Sequence, residues 1–321
     1  MEVVTPEFVK DKKVLLRYDL DVLENGVIND PFRLKAGLPT LNLCLENASQ
    51  VIMMGHIGRP NGQEISELSV ASIYQWLADH GFKDSLNRQK LKLLENLRFE
   101  EGEESCSLDY ATELSKLGDV FVNEAFASYH KAASVSVLPT LLPHKAGLNF
   151  AKEVKILGEV KDNPKKPLVV IMGGAKVQDK LSVVQVMAKV SDKVLVGGKL
   201  VAEIKDLGIR VPENTLLGEL TTDGLDITPQ TVEAWKSTIM NAEEIVWNGP
   251  MGKPDQGTKL LAKFLLESHA RIIVGGGDTV GFLGRTGLLN QFLGKGFVSS
   301  GGGAMLKFLS SGTLPSIEAL R

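Results

Sequence analysis

Short apolar, β-branched runs alternate with amphipathic segments along almost the whole chain, and this alternation restricts the fold more than any other feature. In the first half the strand candidates are 13–18, 50–54, 91–94 and 119–122, with helical periodicity at 33–47, 69–82 and 107–117. The second half repeats the rhythm, with strands at 167–172, 193–196, 244–247, 271–274 and 296–298. Its helical segments are 178–190, 228–240, 257–270, 278–286 and 303–310. Strands separated by helices pair in parallel and need helices on both faces, so the expected class is α/β, doubly wound. A length of 321 residues suits two such sheets better than one sheet holding every strand. Residues 151–166, AKEVKILGEVKDNPKK, read as a charged helix ending in Asn163-Pro164, polar enough to bridge two domains. The expected division is 1–150, a bridging helix and hinge at 151–166, and 167–312.

The apolar share of 43% and charged share of 23% are ordinary for a globular protein and exclude a disordered or collagen-like chain. A net charge of −3 leaves no whole-chain basic footprint for nucleic acid. No apolar run approaches the ~18 residues that cross a bilayer, and the opening MEVVTPEFVKDKK carries no signal-like segment. Cys44 and Cys106 stand far apart, which excludes a CxxC zinc or redox site and fits a reducing compartment. A cytoplasmic monomer without nucleic-acid or membrane partners is expected.

Ligands of open α/β sheets sit beyond the carboxyl ends of the strands. In the first half those positions hold Arg17-Tyr18-Asp19-Leu20-Asp21, Gly55-His56-Ile57-Gly58-Arg59, Glu95-Asn96-Leu97-Arg98 and Asn123-Glu124, with His130-Lys131 soon after and Arg33 opening a helix. Singly, each Arg reads as a solvated loop residue or the partner of a nearby acid. Together, Arg17, Arg33, Arg59, Arg98 and Lys131 read as a rim for a small, multiply charged anion. In the second half the strand ends are glycines: Gly173-Gly174-Ala175-Lys176, Gly197-Gly198, Asn248-Gly249-Pro250, Gly275-Gly276-Gly277-Asp278-Thr279 and Ser299-Ser300-Gly301-Gly302-Gly303. They account for much of the glycine excess in a chain with 32 glycines. Glycine admits close backbone approach, and the helix N-termini that follow favour phosphate, so this half reads as a site for a polyphosphate nucleotide. Lys176 and Lys180 stand where they reach phosphate oxygens. Asp278 holds Mg²⁺ or caps its helix. No GxGxxG follows a strand, and GxxxxGK[ST], GxSxG and HExxH are missing. An anion rim and a nucleotide rim together suggest phosphoryl transfer.

These residues resemble the phosphoglycerate kinase family. The matches are Arg17-Tyr18-Asp19, PFRLKAGLPT at 31–40, GHIGRPNG at 55–62, LLENLRF at 93–99 and KLGDVFVNEAF at 116–126. They continue with MGGAKVQDK at 172–180, IVWNGPMG at 245–252, VGGGDT at 274–279 and SSGGGA at 299–304. The resemblance implies two Rossmann-like domains that close about the bridging helix, with 3-phosphoglycerate on the first and Mg-ADP or Mg-ATP on the second. It also implies that the tail 313–321 returns to the first domain. The implied reaction is reversible transfer of the acyl phosphate of 1,3-bisphosphoglycerate to ADP. By resemblance, Arg33 and Lys176 stabilise the transferring charge, aided by Gly276 and Gly302. Asp19, Asp21, Arg33, His56, Arg59, Arg98, His130 and Lys131 face the phosphoglycerate. Gly173, Gly174, Ala175, Lys176, Lys180, Gly197, Gly198, Asn248, Pro250, Asp255, Gly275, Gly276, Gly277, Asp278 and Thr279 face the nucleotide, and Asp278 takes its Mg²⁺.

The chain departs from the family pattern. It is shorter, with the loss falling between Gly198 and Glu244 and a gap at 253–257 that removes the usual ribose-contacting Glu, for which Asp255 is the candidate substitute. The family's Asn is Asp21 here, and its HRAH is His130-Lys131-Ala132-Ala133. The changes at Asp21, Lys131 and Ala133 are expected to weaken anion binding. The rival readings are a degenerate, non-catalytic nucleotide-binding member and a kinase for another small carboxylate.

Overall fold

The computed structural model describes residues 1–174, 177–253 and 256–321, and for 177–179 the backbone alone. Two parallel sheets organise the chain. The first comprises β1 (Lys13–Arg17), β4 (Gln50–Met54), β5 (Leu91–Leu93), β6 (Val120–Asn123) and β7 (His144–Ala146), in the order β5-β4-β1-β6-β7. Between β1 and β4 lies a small antiparallel hairpin, β2 (Leu23–Glu24) with β3 (Val27–Ile28). The second sheet comprises β8 (Leu168–Met172), β9 (Lys193–Val196), β10 (Thr215–Leu217), β11 (Glu244–Asn248), β12 (Arg271–Gly275) and β13 (Gly296–Val298). Its order is β10-β9-β8-β11-β12-β13.

The central strands are short and apolar because helices cover both faces of the sheet. Every residue of Leu168-Val169-Val170-Ile171-Met172 is buried, as expected of a parallel strand with no solvent face. The strand order also locates the crevices. In the first sheet the chain runs outward from β1 through β4 to β5, then restarts on the other side of β1 with β6. In the second it runs from β8 to β10, then restarts beside β8 with β11. The reversals place topological switch points between β1 and β6 and between β8 and β11, where doubly wound sheets open a ligand crevice.

Contacts divide the chain into two compact units, Met1–Lys155 with Thr313–Arg321, and Ile156–Gly312. The helix Leu148–Asp162 spans that division. It begins before the expected 151 and stops ahead of Asn163-Pro164. The helix expected over 33–47 is two, Phe32–Ala36 and Leu38–Asn47, meeting at Gly37. A Cβ there would stand 2.5 Å from the ring of Tyr18, whose hydroxyl donates to the Leu34 carbonyl at 2.6 Å. The helix expected over 69–82 keeps regular form only through Ala71–Leu77. Among the described residues no helix is long and apolar enough to cross a membrane.

Candidate active site

At the carboxyl end of β1, Arg17 is 1% exposed. Its Nε donates to Ser134 Oγ at 2.9 Å and its Nη1 to the Tyr18 carbonyl at 2.8 Å. Its Nη2 lies 2.9 Å from His56 Nδ1. This corrects the expectation that Arg17 lines the anion rim: the side chain is buried, and each of its three nitrogens is engaged by a neighbouring residue. Behind it, the buried Glu103 lies 3.9 Å from Nη2 and accepts from the Ser134 hydroxyl at 2.5 Å and the Ser134 amide at 3.0 Å.

His56, past the end of β4, is half-buried. Burial first, and then Arg17, Arg98, Arg33 and His130, hold its ring well below the ordinary histidine value. Arg98 and Arg33 also reach the loop that carries His56, Arg98 through the Gly58 carbonyl and Arg33 through the Asp21 carbonyl. Arg59, His130 and Lys131 are exposed. Asp19 is buried, its two carboxylate oxygens accepting from the Ala127 amide and the Ser128 hydroxyl, both at 2.8 Å. Burial pushes its carboxyl up. It thereby fastens the segment that leads to His130.

The loop carrying His56 and Arg59 is clamped at Gly58. Its amide donates to Asp21 Oδ1 at 2.9 Å, and its carbonyl accepts from Arg98 Nη1 at 2.6 Å. The Asp21 carbonyl accepts in turn from Arg33 Nη1 at 2.8 Å. Asn96 secures the other side of the loop, its Oδ1 accepting from the Ile57 amide at 3.1 Å and its Nδ2 donating to the Ile57 carbonyl at 2.7 Å. Ala133 is fully buried. Its side chain offers no hydrogen-bond donor of its own beside His130 and Lys131.

In the second unit the strand ends touch one another through their backbones. The Gly173 amide donates to the Asn248 carbonyl at 2.9 Å, joining the ends of β8 and β11. Lys180 Nζ donates to the Gly173 carbonyl and lies against Gly174 and Gly249. A Cβ at Gly302 would stand 2.2 Å from the Gly276 Cα, so these two loops pack backbone to backbone. Gly276 has φ +104°, a conformation open to glycine alone, and it caps the helix Gly277–Arg285. The helix Gly302–Ser311 starts beside it. Two helix N-termini, whose first-turn amides have no partner within their own helices, therefore meet at the ends of β12 and β13. Asn248 and Thr279, expected as nucleotide contacts, are 2% and 0% exposed. Asn248 Nδ2 donates to the Gly302 carbonyl at 3.3 Å and Thr279 Oγ1 accepts from the Gly249 amide at 2.9 Å, so both shape the cradle from behind.

Sequence reasoning missed a cavity of about 290 Å³ lined by Thr221, Leu225, Asp226, Ile227, Lys253 and Gly257. It adjoins the glycine cradle, since a Cβ at Gly197 would stand 2.9 Å from Ile227 Cγ2. Its signal was the apolar Leu225 and Ile227 just ahead of a helix cap. Ala175, Lys176 and Asp255 lie outside the described residues. Asp255 sits in sequence between Lys253 and Gln256, which both line the cavity. Among the described residues no group of three or more His, Cys, Asp or Glu side chains could hold a metal. Asp278 is exposed in the first turn of its helix. One open carboxylate suits a hard cation that arrives with phosphate oxygens and keeps its waters.

The model of the phosphoglycerate kinase family matches residues 5–213 and 210–312. The chain belongs to the phosphoglycerate kinase family. It is a phosphotransferase of that family. The two matched pieces meet at 210–213, inside the stretch where the sequence reads as shortened. The phosphoglycerate kinase of Coprothermobacter proteolyticus is 31% identical over 97% of this chain and 96% of its own length. That of Thermus thermophilus is 33% identical, covering 97% of both chains. Each alignment runs over 383 positions, more than the 321 residues present, so these relatives carry segments that this chain lacks. The solved phosphoglycerate kinase of Coxiella burnetii superposes with a TM-score of 0.79 at 28% identity, over 97% of this chain and 96% of that one. The Pyrococcus horikoshii structure, with a TM-score of 0.82 at 24% identity, shares the fold.

Proposed function

We propose that the chain transfers the acyl phosphate of 1,3-bisphosphoglycerate to ADP and, in reverse, the γ-phosphoryl of ATP to 3-phosphoglycerate. The observation that carries this reading is the contrast between the two switch points: converging cations in one unit, converging backbone amides in the other. In the reverse direction the nucleophile is a carboxylate, ionised at neutral pH with a reference pKa of about 4. It needs no general base. Positioning and charge stabilisation suffice.

Arg33, Arg98, His56, Arg59, His130 and Lys131 receive the phosphoglycerate. Asp19 and Asp21 hold the loops that present them. Arg33, at the start of its helix, and Lys176 stabilise the charge on the phosphoryl group in flight. The nucleotide phosphates lie across Gly173, Gly174, Gly249, Gly276 and Gly302, near Lys180, and the nucleoside occupies the cavity beside Gly197. Asp278 would hold the Mg²⁺ that arrives with the nucleotide, where the cation supplies charge neutralisation. With the ligands on separate units, transfer requires closure that also excludes water. Small-angle scattering should give a smaller radius of gyration with both ligands than with either alone. The protein acts as a cytoplasmic monomer on these small molecules.

A coupled assay with 3-phosphoglycerate and Mg-ATP tests the function. Turnover is expected. Nucleotide binding without turnover would point to a non-catalytic member, and turnover only with another small carboxylate would displace the substrate assignment.

A further inference from the structure

We infer that Arg17, which is too buried to touch a substrate, is a positioning residue that fixes His56 as the Nε2–H tautomer and so sets the one donor this ring offers the anion. The inference rests on the placement of His56 in the phosphoglycerate site. A guanidinium only donates, so the contact of 2.9 Å between Arg17 Nη2 and His56 Nδ1 requires Nδ1 to accept. The ring proton is left on Nε2. A proton on Nδ1 would set two donors against each other in a partly buried place.

Arg17 itself cannot swing away to relieve such a clash. It donates from Nε to Ser134 and from Nη1 to the Tyr18 carbonyl. The hydroxyl of Ser134 has one proton, and it goes to Glu103 Oε1 at 2.5 Å, so the chain of donors runs in one direction from Arg17 to Ser134 to Glu103. The charged and titratable groups that act on His56 are Arg17 from β1, Arg98 after β5, Arg33 from its helix and His130 after β6. All oppose a second proton on the ring. His56 then serves as a neutral hydrogen-bond donor of fixed direction among full charges. Lysine at position 17 would keep the charge but could not serve Ser134, Tyr18 and His56 from one planar fork.

Nitrogen NMR of ring-labelled histidine in the intact wild-type protein reads the tautomer directly and needs no variant. The expected result at neutral pH is a proton on His56 Nε2 and none on Nδ1, with the Nε2 signal moving on addition of 3-phosphoglycerate. A proton on Nδ1, or on both nitrogens, overturns the inference. The expected tautomer with no response to 3-phosphoglycerate, while the Gly58 and Arg98 amides do respond, overturns instead the placement of His56 in the site. A double-variant cycle supplies the kinetic readout. Glutamine at 56 presents an amide donor near the Nε2 position that no tautomer change can remove. Arg17→Lys should raise the KM for 3-phosphoglycerate roughly tenfold in the wild-type background, the size of one misdirected hydrogen bond to a charged group. The same change in the His56→Gln background should alter KM by less than about twofold. An equal rise in both backgrounds would show that Arg17 acts on the fold at large and not through His56.

Discussion

At the carboxyl ends of β1, β4 and β6 the groups on offer are side chains, whereas at those of β8, β11, β12 and β13 they are mostly backbone amides. The two surfaces need different support. Long cationic side chains lose rotamer freedom when held in place, so the first surface is braced from behind. Arg17 braces His56, Asp19 holds the Ala127–Ser128 segment, and Asp21 and Arg98 grip Gly58 from opposite sides. Among the described residues of the second surface the long side chain to restrain is Lys180, which the Gly173 carbonyl holds. The surface itself is held by loops in direct contact, Gly302 on Gly276 and Gly249 on Gly173. A site made of side chains is broken by removing atoms, and a site made of backbone by adding them.

The largest effect should come from removing charge where it meets the transferring phosphoryl. Arg33→Ala and Lys176→Ala should each lower kcat by roughly 10²–10³, the cost of one lost transition-state donor. Titration calorimetry on Arg33→Ala should find ADP affinity close to that of the wild type. The opposite operation, adding one methyl group at Gly302→Ala, forces a Cβ to within 2.2 Å of the Gly276 backbone. Overpacking of this kind costs about 1–3 kcal/mol. It should appear as weaker ADP binding with 3-phosphoglycerate affinity retained.

The pH dependence of stability sharpens the contrast, because the ring held neutral belongs to the first surface only. His56 is held well below the ordinary histidine value. The unfolded chain therefore takes up its proton first, and the folded form loses stability as pH falls below about 6.5, by at most about 1.4 kcal/mol per pH unit. His56→Gln should not show this loss. Its denaturation free energy relative to wild type should rise as pH falls from 6.5, and parallel curves would contradict the assignment. The smallest effect is expected from Asp21→Asn combined with Lys131→Arg. The Asp21 carboxylate is already engaged with the Gly58 amide, which an asparagine oxygen could equally accept. What changes is one repulsive charge and one planar fork, about 1 kcal/mol or roughly fivefold in KM for 3-phosphoglycerate, downward.

The strands of both sheet centres were legible in the sequence because apolar runs such as LVVIM have no solvent face to alternate with. The short edge strands β7, His144–Ala146, and β10, Thr215–Leu217, were not, since neither has an apolar run of its own: β7 is two polar residues and an alanine, and β10 is three residues among polar neighbours. The helix Lys199–Asp206 was hidden behind Gly197-Gly198, whose glycines drew the reading toward a loop. The first surface was legible as a set of charges, because Arg and His at equivalent strand ends announce themselves by type. Their sorting into facing and bracing residues was not. Arg17 carries the same charge as Arg33, and only packing shows that its donors point inward to Ser134, Tyr18 and His56. The reverse holds for Asn248 and Thr279, whose polar side chains suggest ligand contact while burial commits them to neighbouring loops.

Amide NMR with each ligand added alone tests the separation of the two surfaces most directly. Mg-ADP should shift the amides of Gly173, Gly249, Gly276, Gly277 and Gly302 and leave those of Gly58, Arg98 and Ala127 in place. 3-Phosphoglycerate should do the reverse. Shifts from Mg-ADP centred on Gly58 and Arg98, or one shared set of responding amides for both ligands, would contradict the account.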